Sequence, residues 1–353
     1  MSTTSLHLRP ARAALPATEL ALGRRLRDGK TLAGFAVSAA IVVLFLLTAH
    51  LNLATIWATV QTADVRTLAL ALGIYLGAFV LRGLRWRLLL RQADLGPDVR
   101  LPALGRLIEI IYLSWFINCL VPAKLGDGYR AHLLRQETGA DLGHTLGTVV
   151  GERLADILAL VVLLGASGLL ILSSLAGASR DLTLIVLLGA GLGAAIVGGV
   201  VALRLLAGRL TGWLPARWRA VFAHFVAGTL RTFRRDVQLP LYGLTALIWA
   251  AEALRIGLVL WSFHITGLAP GVILFTALAG SLLSTIPFTP AGLGAVEGAS
   301  VAILTAFGVA TSLAGAVAVV DRVINYWSNL PIGALLYLLR RRRDRRDPVL
   351  SAH

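Results

Sequence analysis

Charged side chains lie in the middle of an apolar stretch of this sequence. The segment "VVGERLADILAL" places Glu152, Arg153 and Asp156 within five residues of one another. A charge at the bilayer centre costs about 2.5–3.5 kcal/mol on insertion scales, so such residues normally face one another or water. Glu152 and Asp156 share one helix face, and Arg153 lies about 100° round it. Because an arginine fork binds phosphate bidentately, the segment predicts a polar cavity for a lipid headgroup; the alternative is a buried ion pair that only joins parts of the protein.

A second charged set lies in the C-terminal half, where the apolar stretch "VVDRVINY" contains Asp321 and Arg322. An acid precedes the arginine here, as it does at Arg153. We expect both arginines to point into one cavity, with neighbouring carboxylates holding them and balancing their charge while the cavity is empty. The carboxylates expected to do this are Glu152, Asp156, Glu297 and Asp321.

Composition defines the class of protein. The chain has 353 residues, of which 57% are hydrophobic and 14% charged, and its mean hydropathy is +0.79. A soluble domain cannot bury that much apolar surface, so an all-α, polytopic helical membrane protein is predicted. The single cysteine, Cys119, excludes an internal disulfide and a cysteine metal cluster. The seven histidines are scattered without paired spacing, so neither a metal nor another cofactor is expected.

Apolar stretches of about 20 residues predict the membrane-spanning helices. Two further stretches, 107–123 and 271–307, are interrupted by proline, glycine and polar residues. Both are predicted to be re-entrant hairpins, because non-helical backbone at membrane depth occurs only inside protein or beside a wet cavity. The six predicted spans are roughly 31–49, 67–90, 145–173, 182–203, 240–265 and 313–339.

The distribution of positive charge predicts the topology. Twenty-eight of the 33 lysines and arginines lie in five segments, and the net charge is +15. Both termini are therefore expected in the cytoplasm, with the chain in the plasma membrane and its charge attracted to anionic lipids. Nucleic-acid binding is not expected, because no basic soluble domain is present. The five positive segments are 1–30, 82–106, 124–143, 204–236 and 340–346.

Two similar pentapeptides occur in the predicted hairpins, "PAKLG" at 122–126 and "PAGLG" at 290–294. The loop near 264–271 contains no lysine or arginine, so the second hairpin is expected to enter from outside and the first from the cytoplasm. Opposed hairpins indicate an inverted-topology repeat with three spans and one re-entrant hairpin in each half. The predicted units are a basic tail at 1–30, repeats at 31–173 and 182–339, and a basic tail at 340–353.

The spacing of the arginines supports the repeat. Arg153 follows Pro122 by 31 residues, and Arg322 follows Pro290 by 32. Chance similarity between short stretches of common residues is the alternative. Under the repeat interpretation, both pentapeptides are hairpin tips, and their glycines would let backbone N–H groups approach a phosphate.

The motif blocks "PAKLGDGYRAHLLRQETG…VVGERLADILAL" and "IPFTPAGLGAVEGA…DRVINYW" resemble the transmembrane domain of lysylphosphatidylglycerol synthases. That domain also occurs alone, in flippase-like proteins that include hopanoid-associated and archaeal glycolipid-related members. The similarity covers about residues 30–340, and a soluble aminoacyl-transferring domain is not expected. The resemblance implies lipid translocation rather than lysine transfer.

Individual residues match the family pattern. Asp127 stands where that family usually has glutamate, and Arg130 stands in its arginine position. Ala291 occupies a position where glycine is common. The other matching residues are Glu152, Arg153 and Asp156 in the first block, and Pro290, Gly292, Gly294 and Glu297 in the second.

Lipid translocation without catalysis is the predicted function. The expected partner is a membrane lipid with an anionic or phosphate headgroup, with a second copy of the chain or a lipid-biosynthesis enzyme as a possible protein partner. Two alternatives stay open: an accessory subunit of a lipid- or glycolipid-modifying pathway, and an integral membrane enzyme whose acid and base come from Glu152, Asp156 and Glu297. The candidate substrate-binding residues are Asn118, Lys124, Gly126, Asp127, Arg130, Glu152, Arg153, Asp156, Pro290, Gly292, Gly294, Glu297, Asp321 and Arg322.

Several of these positions also have simpler interpretations. Lys124, Asp127 and Arg130 form either a headgroup vestibule or plain flanking charge. Asn118 lies in an apolar run. An asparagine in such a run more often forms hydrogen bonds with backbone groups where a helix is interrupted than it binds a ligand.

Two other features are interpreted locally. Glu252 and Arg255 are three residues apart, which favours a local ion pair. The segment 213–237 is basic and amphipathic. It is expected to lie on the cytoplasmic leaflet, with a packed connector as the alternative.

Overall fold

The computed structural model describes residues 53–96, 99–120, 125–174, 180–285 and 292–346. Within these ranges the chain is almost entirely helical and contains no strand, which confirms the predicted all-α class. The helices, in chain order, are α1 Leu53–Val60, α2 Val65–Gln92, α3 Leu104–Leu120, α4 Leu125–Thr138, α5 Leu142–Ser174, α6 Arg180–Trp213, α7 Ala216–Arg231, α8 Arg235–Ser262, α9 Pro270–Thr285, α10 Ala295–Ala306, α11 Thr311–Arg322, a π-helical segment Val323–Trp327, and α12 Asn329–Arg346.

Three of the described helices are long and apolar enough to cross a bilayer: Val65–Gln92, Leu142–Ile171 and Arg235–Ser262. Each has 28 to 30 residues, more than the roughly 20 that a span needs. They contain or overlap the predicted spans 67–90, 145–173 and 240–265. The predicted span 182–203 lies within α6, and 31–49 lies outside the described residues.

The stretch predicted as one span at 313–339 is divided into α11, the π-helical segment and α12. Pro331 lies near the start of α12, and because proline lacks an N–H, the α-helical ladder cannot continue unbroken through it. The π-helical segment before α12 places Asn325 and Tyr326 beside the end of α11, where they contact Asp321 and Arg322. Such π segments are frequent at functional sites.

Two helical hairpins occupy the interrupted stretches. The stretch 107–123 does not turn back on itself: residues 104–120 form one helix, and α4 is the returning arm. The segment 104–120 contains no proline that would interrupt the helix. The second hairpin, α9 with α10, follows the predicted limits of 271–307 closely. The arms of each hairpin pack against each other.

Helices α2 and α8 form the central pair. The first hairpin packs on α2 through α3, and the second packs on α5 and α8 through α9. The main apolar core surrounds α2, α3, α8 and α11, and includes the fully buried Trp86 and Leu107.

Glycines bring α5 and α7 into close contact. Gly143, Gly147 and Gly151 recur every four residues along α5. A methyl group on Gly147 would lie 2.3 Å from the carbonyl oxygen of Phe225, and one on Gly228 would lie 2.5 Å from that of His144. Small residues at this spacing allow helix backbones to approach closely inside membranes.

The amphipathic segment 213–237 is not one helix. Helix α6 ends at Trp213, α7 spans Ala216–Arg231, and α8 begins at Arg235. Pro215 precedes the first turn of α7, where its fixed φ is tolerated. The glycine contacts pack α7 on α5, as the connector alternative requires, and the position of this segment on the cytoplasmic leaflet stays a prediction.

The C-terminal arginine run belongs in part to α12. Arg340 is buried and pairs with Glu137 of α4 at 2.7 Å. Arg343 pairs with Glu109 of α3 at 3.0 Å. The boundary predicted at residue 340 therefore falls within a helix, and ion pairs attach that helix to the first hairpin.

Candidate functional site

A cavity of about 190 Å³ is lined by residues of α2, α3, α4, α5, α8, α9, α10, α11 and the π-helical segment. Its wall combines apolar side chains with a dense set of charges. Four carboxylates and six arginines line it, and the arginines are Arg82, Arg85, Arg130, Arg153, Arg255 and Arg322.

Arg85 of α2 is the centre of the N-terminal charge cluster. It donates to Asp156 through both terminal nitrogens, at 2.5 and 3.0 Å, and to Glu152 at 2.8 Å. The second oxygen of Glu152 accepts from Arg130 at 2.8 Å. Glu152 and Asp156 therefore share one face, as their spacing predicts, but the arginine that they bind is Arg85.

Arg153 pairs with Asp127 of the first hairpin. Its Nε and Nη2 donate to the two carboxylate oxygens at 3.0 and 2.8 Å. The expectation that Glu152 or Asp156 would hold Arg153 is wrong, because those acids face α2 and α4 instead. The Arg153 side chain is 27% exposed and that of Asp127 is 19% exposed, whereas the Arg85 side chain is 3% exposed.

In the C-terminal half, Arg322 pairs with Glu297 of α10 at 2.7 Å. Asp321 forms an ion pair with Arg255 of α8 and accepts a hydrogen bond from Asn325 at 2.9 Å. Arg153 and Arg322 thus line one cavity, as expected, and each is held by an acid of a hairpin.

The predicted local pair between Glu252 and Arg255 is present at 3.0 Å. It extends to Arg82 of α2, which donates to Glu252 at 2.6 Å. The Arg82 guanidinium also lies over the Trp115 ring, 4.7 Å from its centre. A planar guanidinium can stack and form ion pairs at the same time.

Asn118 stabilises the turn of the first hairpin. Its side-chain oxygen accepts a hydrogen bond from the backbone N–H of Gly126 at 2.8 Å. Asn118 therefore satisfies a backbone group at the start of α4, where the N–H has no partner within the helix. Glycine is needed here because a methyl group would lie 2.0 Å from the carbonyl oxygen of Ser114.

Gly294, at φ +87°, donates its N–H to Glu297 at 2.8 Å. Gly292, at φ +72°, lies against Ser284 of α9. The hairpin N–H groups of Gly126 and Gly294 are therefore occupied, contrary to the expectation that they would be open to a phosphate. Lys124, Pro122 and Pro290 lie outside the described residues.

Arg82 and Arg85 are the residues that the sequence-based assignment missed. Both belong to the positive segment 82–106 that predicts the topology, yet both are buried. They also lie inside the predicted span 67–90, three residues apart and hence on one helix face. That position within an apolar run, rather than the count of positive charges, was the signal that could have identified them.

These features define a polytopic α-helical membrane protein with a charge-lined interior cavity. The chain belongs to the family described as the lysylphosphatidylglycerol synthase TM region, which its residues 31–333 match.

Relatives support the same family. A UPF0104 membrane protein of Methanocaldococcus jannaschii is 32% identical over 243 residues, covering 66% of this chain and 97% of the relative. A UPF0104 membrane protein of Methanothermobacter thermautotrophicus is 27% identical over 289 residues, covering 72% and 80%. The glycosyltransferase AglD of Haloferax volcanii is 26% identical over 319 residues, covering 80% of this chain and half of that protein.

Proposed function

We propose that this protein moves an amphipathic lipid between membrane leaflets, with the lipid's phosphate-bearing headgroup held in the central cavity. The observation that carries the proposal is the two-bond pairing of Arg153 with Asp127 at the most accessible of the cavity's ion pairs. A guanidinium fork fits a phosphate in the same two-bond geometry as a carboxylate. A lipid phosphate can therefore replace Asp127 on Arg153 without rebuilding the site.

The balance of charge in the cavity supports an exchange of partners. Six arginines line it, and among the described residues six carboxylates pair with them. Burying a charge costs least when it is paired, and these ion pairs balance the charge of the cavity when no lipid is bound. An entering phosphate must then displace a carboxylate, and the Arg153–Asp127 pair is the most accessible because its arginine side chain is 27% exposed, against 7% for Arg322 in the pair with Glu297. The carboxylates are Asp127, Glu152, Asp156, Glu252, Glu297 and Asp321.

Displacing Asp127 would act directly on the first hairpin. Asp127 lies in the first turn of α4, next to Gly126, whose contact with Ser114 joins α4 to α3. Releasing Asp127 from Arg153 removes a link between the hairpin and α5. Headgroup binding thereby favours a movement of the hairpin relative to α5, which a translocation path requires.

The two halves repeat one pattern of charge pairing. In the N-terminal half, Glu152 pairs with Arg85 of a long helix, and the next residue, Arg153, pairs with Asp127 of a hairpin arm 26 residues earlier.

In the C-terminal half, Asp321 pairs with Arg255 of a long helix, and Arg322 pairs with Glu297 of a hairpin arm 25 residues earlier. This parallel supports the inverted repeat that we propose for residues 31–173 and 182–339. A headgroup could pass from one hairpin-linked arginine to the other within the same cavity.

The chemistry of the cavity fits a phospholipid, a polyprenyl phosphate or a related amphipathic lipid. A second candidate function is an accessory membrane subunit of a glycolipid pathway. The similarity to part of a protein named as a glycosyltransferase favours it. We propose that this chain itself is not an enzyme; product formation by the isolated protein would contradict that.

The test is lipid scrambling by the full chain in proteoliposomes. Fluorescent phosphatidylglycerol in both leaflets is quenched from outside, and the fraction that becomes accessible reports translocation. We expect wild-type protein to make the inner pool accessible and Arg153→Gln to lose that activity. Arg106→Gln is the matched control, because Arg106 is similarly exposed at 29% and ion-paired to Glu109 and Glu137, but lies outside the cavity.

Failure of the wild-type protein to move phosphatidylglycerol, a polyprenyl phosphate or total membrane lipid would overturn the proposal. If Arg106→Gln and Arg153→Gln lose lipid scrambling equally, the defect is a general one rather than one specific to the cavity. Copurification of a lipid-modifying enzyme, together with inactive wild-type protein, would favour the accessory role.

A further inference from the structure

A cluster of metal-binding side chains lies away from the central cavity, where α7 packs on the start of α5. It consists of Asp141, His144 and His224, whose ligand atoms all lie within 4.8 Å of one another. We propose that these three residues bind a divalent transition-metal ion, with zinc as the best fit.

The spacing of the ligand atoms matches a metal centre. The Nδ1 atoms of His144 and His224 lie 3.2 and 3.1 Å from the two oxygens of Asp141, one on each. Ligands about 2.0–2.1 Å from a tetrahedral zinc lie about 3.3–3.4 Å apart. Small side-chain rotations therefore suffice to close the site around an ion.

Local contacts position Asp141 and bring the two histidines together. The carboxylate of Asp141 accepts the backbone N–H of His144 at 2.8 Å and so caps the first turn of α5. A methyl group on Gly143 would lie 2.8 Å from Cβ of His224, so glycine at 143 is what lets that histidine approach. The two imidazole rings stack with centres 4.5 Å apart.

The donor set indicates the metal. Two imidazoles and one carboxylate suit zinc and similar borderline ions, whereas magnesium prefers six oxygen ligands. Three protein ligands leave a fourth position for water or an exogenous ligand. His144 is buried, whereas Asp141 and His224 are partly exposed, so an ion can reach the site.

A metal here would fix α7 against the helix that carries the cavity's Glu152, Arg153 and Asp156. The ligands come from both sides of the α5–α7 contact, which also contains the glycine packing and a hydrogen bond from Thr229 to the carbonyl oxygen of Gly147 at 3.2 Å. Because the cluster lies outside the cavity wall, its occupancy can be tested independently of lipid movement.

The experiment measures metal content and metal spectra of the full chain, purified without a histidine tag and stripped with a chelator. Zinc is added back in competition with a chromophoric chelator, and cobalt is added separately. We expect one zinc per chain and visible cobalt absorption of tetrahedral intensity. Asp141→Asn and His224→Gln should weaken zinc binding at least 100-fold, whereas the control His132→Gln, on α4, should bind as wild type does.

A melting series keeps the test decisive if a variant folds poorly. Zinc, and not magnesium, should raise the melting temperature of wild-type protein and of His132→Gln. Wild-type protein that binds less than 0.1 zinc per chain at micromolar zinc, or ligand variants that bind as tightly as wild type, would overturn the proposal. The cluster would then be a hydrogen-bonded triad only, in which both imidazoles donate to Asp141.

Discussion

Replacing Arg153 with glutamine separates a substrate-binding role from a purely structural one. Glutamine retains a hydrogen-bond donor but cannot neutralise a phosphate. In the structure, this change removes the two hydrogen bonds that Arg153 donates to Asp127, while Glu152 and Asp156 retain Arg85.

The expected loss of stability follows from exposure. Exposed ion pairs contribute about 0–1 kcal/mol, and breaking a buried pair costs about 3–5 kcal/mol. The Arg153–Asp127 pair is 27% and 19% exposed, so water can reach Asp127 once Arg153 is gone. We expect Arg153→Gln to destabilise the protein by about 1–2 kcal/mol. Arg85→Gln, at 3% exposure and with two acids as partners, should lose about 3–5 kcal/mol.

The double variant Arg153→Gln with Asp127→Asn discriminates between the roles. Removing both charges leaves no uncompensated carboxylate, so the melting temperature should return close to that of wild type. Lipid scrambling should stay at least tenfold below the wild-type rate, because no guanidinium fork remains at that position. The assay is dithionite quenching of fluorescent lipid, with the melting temperature measured on the same preparation.

A stable double variant that scrambles lipid at the wild-type rate would refute the headgroup assignment. The pair would then serve only to connect the first hairpin to α5. Arg106→Gln again provides the control for general effects of removing a partly exposed, ion-paired arginine.

The remaining predictions concern packing and topology. Gly147→Ala should lower the melting temperature, because overpacking costs about 1–3 kcal/mol and its methyl group would meet a backbone oxygen at 2.3 Å; Gly165→Ala on the same helix, where nothing lies within 4 Å, should be neutral or stabilising. An unchanged melting temperature in both variants would contradict the glycine-packing argument. For topology, a cysteine at Leu268 in a Cys119→Ser background should react with an impermeant thiol reagent from outside, and one at Gly212 should not. Reaction at Leu268 only from the cytoplasmic side would remove the inverted repeat, because the second hairpin would then enter from the wrong face.

The positions of elements and charges were largely readable from the sequence. Apolar length is a local property, so the described helices lie close to the predicted spans and hairpins. The limits of the first hairpin and of the amphipathic segment differ: α3 continues to Leu120 and α4 forms the second arm, and α7 begins directly after Pro215.

Charged residues inside apolar stretches also indicated which side chains line the cavity. Arg153 and Arg322 line one cavity, because each must find a polar surrounding at the centre of the bundle. The same signal applies to Arg82 and Arg85, which lie within the predicted span 67–90 but contribute to the topology prediction only as members of the positive segment 82–106.

The sequence by itself determined an all-α membrane protein, its helices, and the presence of charged residues within them that are energetically costly to bury. These properties can be read locally, because hydropathy and proline act over a few residues. Only the tertiary structure decided which acid holds which arginine: Asp127 and not Glu152 for Arg153, since α2 supplies Arg85 to Glu152 from 67 residues away. The same holds for His144 and His224, which are 80 positions apart along the chain and meet only where glycines let α5 and α7 touch. Pairing between distant segments depends on how helices pack, and that packing is set by the shapes of all the faces together rather than by any one stretch.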